Sequence, residues 1–217
     1  AIGVAGHGLK EEDGLSKLVF ANTLDTMLFF TNQGRVYTEK VYRIMECNRT
    51  DKGTPIVNLI NLQGEEKVTE MISVSEFDPK AYLVMVTANG KIKRNALTDY
   101  ANVRTNGIIA ISLEDSDELK WVLQTDGSSY VVLSTGMGKG LRYPETKVRS
   151  MGRQARGVLG MKIAQGDHLA CVDVAKEDDY LLVVGEKGIG KRTLVKNIPV
   201  HGRTTSGVMI TNKRMLD

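Results

Sequence analysis

One segment type, an apolar strand running into a glycine turn and out into a basic strand, recurs four times along the 217 residues and restricts the possible folds more than any other feature. The copies are LFFTNQGRVY around Gly34, LVMVTANGKIKR around Gly90, VVLSTGMGKGLR around Gly138 and LLVVGEKGIGKR around Gly188, at spacings of 56, 48 and 50 residues. A second segment follows each copy: RTDKGTPIV at Gly53, RTNGIIAI at Gly107, RQARGVLGM at Gly157 and GRTTSGVMI at Gly207. Gly3 stands 50 residues before Gly53 and reads as the same element of a preceding repeat. The chain begins at Ala1 and ends at Met215-Leu216-Asp217, and therefore reads as a piece excised from a longer array.

A third anchor is an acidic or glycine turn leading into an apolar run, in EEKVTEMISV from Glu65, DELKWVLQT from Asp117 and DHLACVDV from Asp167. The apolar runs span 4 to 8 residues and are rich in Val, Ile, Leu and Tyr, the signature of strands. With 22 Gly, only 4 Pro and 6% aromatics, the composition favours short strands joined by glycine turns. Asn89-Gly90, Lys187-Gly188 and Gln33-Gly34 place glycine where a tight hairpin needs positive φ. Four strands per unit make a propeller-type blade. The predicted fold is one all-β domain over residues 1–217, with blades at about 14–66, 67–115, 116–165 and 166–217. Tyr82, Tyr130 and Tyr180 recur at the start of a hairpin strand and read as blade-packing residues.

Several motifs are explained by structure alone. GEKGIGKR at Gly185–Arg192 matches G-x-x-x-x-G-K but puts Arg192 where a P-loop needs Ser or Thr, and a hairpin rather than a helix is predicted there. His7, His168 and His201 do not recur and suggest neither a metal set nor a triad. Asp115, Asp117, Glu118 and Glu177–Asp179 read as solvated turns, and Cys47 and Cys171 as reduced core thiols. No catalytic residue, metal or cofactor is predicted. No apolar run reaches the roughly 18 residues of a membrane helix, and the N-terminus carries no signal pattern, so a soluble, cytoplasmic protein is expected.

The formal net charge is only +3, but the basic residues follow the repeat. After the hairpin glycines come Arg35; Lys91, Lys93 and Arg94; Lys139 and Arg142; and Lys191 and Arg192. The connectors carry Arg49 and Lys52; Arg104; Arg149, Arg153 and Arg156; and Arg203. In an array of blades, equivalent positions lie at equivalent radius and height, so both series should form a basic band to which a polyanion binds. The rival reading is a propeller-like protein-interaction module that docks an acidic partner. It requires an exposed aromatic hot spot, whereas Trp121, the only tryptophan, lies in a core-strand context.

The segments FANTLDTMLFFTNQGRVYTEKVY, RTDKGTPIVNL, RTNGIIAISL, RSMGRQARGVLGMKI and GIGKRTLVKNIPV resemble successive blades of the C-terminal domain of the DNA gyrase A protein; the topoisomerase IV counterpart is second choice. The resemblance covers essentially the whole chain. It implies a β-pinwheel, whose blades exchange a strand with their neighbours and whose basic outer edge wraps duplex DNA in support of negative supercoiling. It also implies assembly with gyrase B and with the remainder of gyrase A, association with the bacterial nucleoid, and a monomeric fragment. The cleaving tyrosine and the ATPase of that type II topoisomerase lie outside such a fragment. The family's heptapeptide box, Gln-Arg-Arg-Gly-Gly-Lys-Gly or close to it, is expected where only Ala1-Ile2-Gly3 occupies its last three places.

Overall fold

The computed structural model describes residues 16–48, 50–103 and 106–211; Gly3 and the box region lie outside them. Among the described residues fourteen strands follow one another: β1 Thr26–Thr31, β2 Arg35–Lys40, β3 Val68–Val74, β4 Tyr82–Thr87, β5 Lys91–Ala96, β6 Ile108–Ile109, β7 Leu119–Thr125, β8 Tyr130–Thr135, β9 Lys139–Pro144, β10 Val158–Leu159, β11 Leu169–Ala175, β12 Tyr180–Val184, β13 Gly190–Leu194 and β14 Val208–Met209. The only helical elements among the described residues are short 3-10 turns after the hairpins and at Ile56–Asn58, so the fold is all-β. Among the described residues no helix is long and apolar enough to cross a membrane.

Three antiparallel four-stranded sheets form, in the orders β3-β1-β2-β6, β10-β5-β4-β7 and β11-β8-β9-β14, and β12-β13 make a two-stranded fourth. Each full blade is thus a hairpin, the long strand that follows it, and a two-residue strand donated from beyond the next hairpin. Strand exchange is what makes this propeller a pinwheel. The blade limits differ from the predicted ones. The long strand beginning at Val68 pairs with β1 rather than opening the next unit, because it returns along the hairpin it follows. The same holds for β7 on β4 and β11 on β8.

Local chemistry fixes each hairpin. The amides of Gly34, Gly90 and Gly138 donate to the carbonyls of Thr31, Thr87 and Thr135 at 3.0 Å, and all three glycines have positive φ, as does Gly188. The three threonine hydroxyls accept from the amides of Arg35, Lys91 and Lys139 at 3.1 to 3.3 Å. A carboxylate from the third strand's entry then caps the turn. Asp117 accepts from the Asn89 amide at 3.0 Å, Asp167 from the Met137 amide at 3.0 Å, and Glu66 from the Thr31 hydroxyl at 3.1 Å. Asp117 is buried, so it is a turn cap and not the solvated residue expected.

The core lies between blades. Along β4, Leu83 and Met85 pack into one cluster with Leu28, Phe30 and Val36 of the first blade. Val84 and Val86, on the opposite face, join Val131, Leu133 and Leu141 of the third. Both faces are covered, which is why the strand reads as an unbroken apolar run. Trp121 packs against the second cluster, as expected. Cys47 and Cys171 are exposed, contrary to their predicted place in the core: Cys47 lies in an irregular connector and Cys171 on a face of β11 that borders an open cleft next to β12.

Candidate nucleic-acid interface

The third strands β3, β7 and β11 touch from blade to blade, so their edges converge. The opposite edge of each sheet, which carries the donated strands and their connectors, therefore faces outward, and both basic series lie along that half of the blades.

Two repeated contacts link the connectors into a continuous line. The Nη1 of Arg153 donates to the Ile109 carbonyl at 2.5 Å, and that of Arg203 to the equivalent Leu159 carbonyl at 2.6 Å. The Ser112 amide donates to the Ala155 carbonyl at 3.3 Å and the Lys162 amide to that of Thr205 at 3.0 Å. The Ser112 hydroxyl adds a bond to the Gln154 carbonyl at 2.7 Å. Along this line Arg149 and Arg156 are exposed, and Lys52 is exposed in the separate first connector, none with an ion pair among the described residues. Arg49 and Arg104 lie outside the described residues.

The hairpin series divides by depth. Arg35 is half-buried, donating to the carbonyls of Asn106 and Gly107 at 3.1 and 3.3 Å, with Glu66 at 3.5 Å. Lys91 is half-buried near Glu114 at 3.5 Å, and Lys139 and Lys191 are half-buried. Arg192 is exposed. Lys93, Arg94 and Arg142 depart from the predicted band, because each is buried and committed to protein partners. The Lys93 ammonium donates to the carbonyls of Ala110 and Arg153. Burial, helped by the nearby Arg153 guanidinium and opposed by Asp99, lowers its pKa to about 7.

The two buried arginines are inter-blade latches. The Nε of Arg94 donates to the Val148 carbonyl and that of Arg142 to the equivalent Ile198 carbonyl, both at 2.8 Å. Each guanidinium also covers a tyrosine ring, Arg94 over Tyr82 and Arg142 over Tyr130 at 4.5 Å, and Arg192 repeats the stack over Tyr180 at 4.6 Å. Tyr82 and Tyr130 thus pack the blades as platforms for arginine, whereas Tyr180, contrary to expectation, is exposed. Their constant distance of twelve residues from the arginine was a legible signal that charge alone obscured. Arg94 has a buried ion-pair partner as well: Glu145 at 3.3 Å, which also accepts from the Thr125 hydroxyl at 2.8 Å and the Ser129 amide at 2.9 Å.

Sequence reasoning missed Lys147. It is exposed in the 3-10 turn that leads into Arg149, so one connector presents Lys147, Arg149 and Arg156 together. The run KVRSMGRQAR, free of carboxylates, was the available signal. The surface so formed suits backbone phosphates: long cationic side chains, at blade spacing, on an edge with no recognition helix among the described residues.

The model of the DNA gyrase C-terminal domain, beta-propeller family matches residues 25–75, 81–126, 129–175 and 179–214. The chain is 41% identical over 207 residues to the DNA gyrase A protein of Salmonella typhimurium and 38% identical over 209 residues to that of Mycobacterium tuberculosis, covering 95% of this chain in both cases. It spans about a quarter of the length of those curated relatives, 24% and 25%. A solved DNA gyrase A C-terminal domain superposes with a TM-score of 0.75 at 28% identity, covering 97% of this chain and 71% of that one. The C-terminal domain of a DNA topoisomerase IV gives 0.77 at 28% identity, covering 87% and 59%.

Proposed function

Because the chain belongs to the DNA gyrase A C-terminal domain family, a β-propeller family, we propose that it binds duplex DNA along its outer edge without reading sequence and wraps it, as the non-catalytic part of a type II topoisomerase that supercoils DNA. The observation that supports this best is the tethered line of connectors with Lys147, Arg149 and Arg156 exposed along it; Lys52 adds charge from the first connector. Arg35, Lys91, Lys139, Lys191 and Arg192 form a second line on the hairpins, within reach of a phosphate by side-chain rotation. Arg153 and Arg203 add positive charge while holding the connectors. Charge of one sign on a curved edge bends DNA by neutralising the phosphates that face it, so affinity follows salt and DNA flexibility more than base identity. In the whole enzyme the domain would work with gyrase B and with the remainder of gyrase A.

The test is the mobility of the chain on short and long duplexes at two salt concentrations, followed by the linking number of a relaxed circle closed in its presence. Salt-sensitive binding that favours long DNA and a changed linking number are the expected results. Binding that is absent at low salt, or undiminished when Lys147, Arg149 and Arg156 are all changed to Glu, overturns the assignment.

A further inference from the structure

We infer that Lys93 is a positioning residue for DNA binding, whose buried ammonium fastens the connector carrying Lys147, Arg149 and Arg156 to the connector of the preceding blade. The inference rests on the DNA-binding reading of that connector. Lys93 is fully buried and so touches no phosphate itself. Its repeat equivalents are Tyr37, Leu141 and Lys191, two of them packing residues, so a lysine is not what the strand requires there. A buried ammonium is costly unless its donors are used. Here they reach two carbonyls belonging to two successive connectors, Ala110 in one and Arg153 in the other. Arg153 closes the link from the other side, accepting from Lys93 at its carbonyl and donating its guanidinium to Ile109 at 2.5 Å.

The next junction lacks this clamp. Leu141 stands in the place of Lys93, and the connectors are tied by Arg203, through Leu159 at 2.6 Å and Lys147 at 3.3 Å, and by the Lys162 amide on the Thr205 carbonyl at 3.0 Å, with no buried ammonium between them. The extra fastening thus occurs at the connector with the densest exposed basic charge. Holding those charges at fixed spacing spares the ordering cost that binding would otherwise incur.

The test compares Lys93→Met and Lys93→Arg with the unaltered chain. Amide exchange without DNA should be about tenfold faster in Gly152–Arg156 of Lys93→Met and unchanged in β4 and β8. Affinity for a long duplex should fall about three- to tenfold while the slope of log affinity against log salt stays the same, since no phosphate contact is lost. Lys93→Arg, which retains donors for both carbonyls, should recover most of the loss. Unchanged exchange in the connector, a salt slope reduced by about one, or no recovery in Lys93→Arg each overturns the inference. If Lys93→Met does not fold, Arg153→Gln takes its place in the exchange experiment and should loosen the same amides. An unaltered chain that binds no DNA overturns the proposed function instead, and the exchange result still decides whether the clamp exists.

Discussion

At Arg94, Arg142 and Arg192 one residue type at one repeat position does different work according to what the next blade places over it. Arg142 stacks on Tyr130 and donates to Ile198 from a buried site, whereas Arg192 makes the same stack in the open. Arg142→Ala should therefore lower stability by about 2–4 kcal/mol, through lost stacking and an orphaned carbonyl, and Arg192→Ala by about 0.5 kcal/mol, read from urea unfolding midpoints. Lys93 gives a pH signature. Its pKa is about 7 in the fold against an ordinary 10.5, so between those values the unfolded chain holds a proton that the folded chain has released. Stability must then rise with pH across that window, and below it the full burial penalty applies. Relative to Lys93→Met, the unaltered chain should gain about 1–2 kcal/mol between pH 7 and pH 9 in parallel denaturation series.

At the scale of the element, the donated strand is the unit that turns separate hairpins into an array. Gly157 shows how close that approach is: it has φ +84°, and a Cβ there would lie 2.6 Å from the Ile92 carbonyl oxygen of the receiving strand. Gly53 is its repeat equivalent, also at positive φ, and a Cβ there would meet nothing within 4 Å. Gly53→Ala should cost only the left-handed backbone penalty, about 1 kcal/mol, and Gly157→Ala at least about 2 kcal/mol more, because the strand must move off its partner. The difference between the two, measured by chemical denaturation, isolates the energetic weight of strand donation. The hairpin caps act at the same scale. Asp117→Ala leaves the Asn89 amide without its acceptor, and faster exchange at Asn89 and Gly90 than in the untouched hairpin at Met137 is the expected outcome.

For the molecule as a whole, the near balance of 29 basic against 26 acidic residues does not show which charges the fold takes up internally. Carboxylates such as Glu66, Asp117 and Asp167 turn inward to cap hairpins, and Glu145 is buried against Arg94, while exposed lysines and arginines line the connectors. If the outer edge neutralises about six phosphates, raising salt from 50 to 200 mM should weaken DNA binding by about a thousandfold, measured by fluorescence anisotropy on duplexes of unrelated sequence that give superimposable curves. Arg149→Gln with Arg156→Gln should lower the salt slope by about two, as two phosphate contacts are lost.

The all-β class, the position of every hairpin and the repetition of units are legible in the chain alone, because they depend on local matters: strand-length apolar runs and glycines at turns that only positive φ closes. The family resemblance is carried by the same segments. Which strand belongs to which blade emerges only on folding, since β3, β7 and β11 choose a partner through long-range pairing that no local pattern encodes. The same holds for the fate of each basic side chain. Lys93 and Arg94 look like Lys91 and Arg35 in a list of charges, yet β5 is covered on both faces by neighbouring elements, and both are buried. Burial, and with it the difference between a charge that holds the fold and one free to meet a phosphate, is a property of neighbours brought from about fifty residues away.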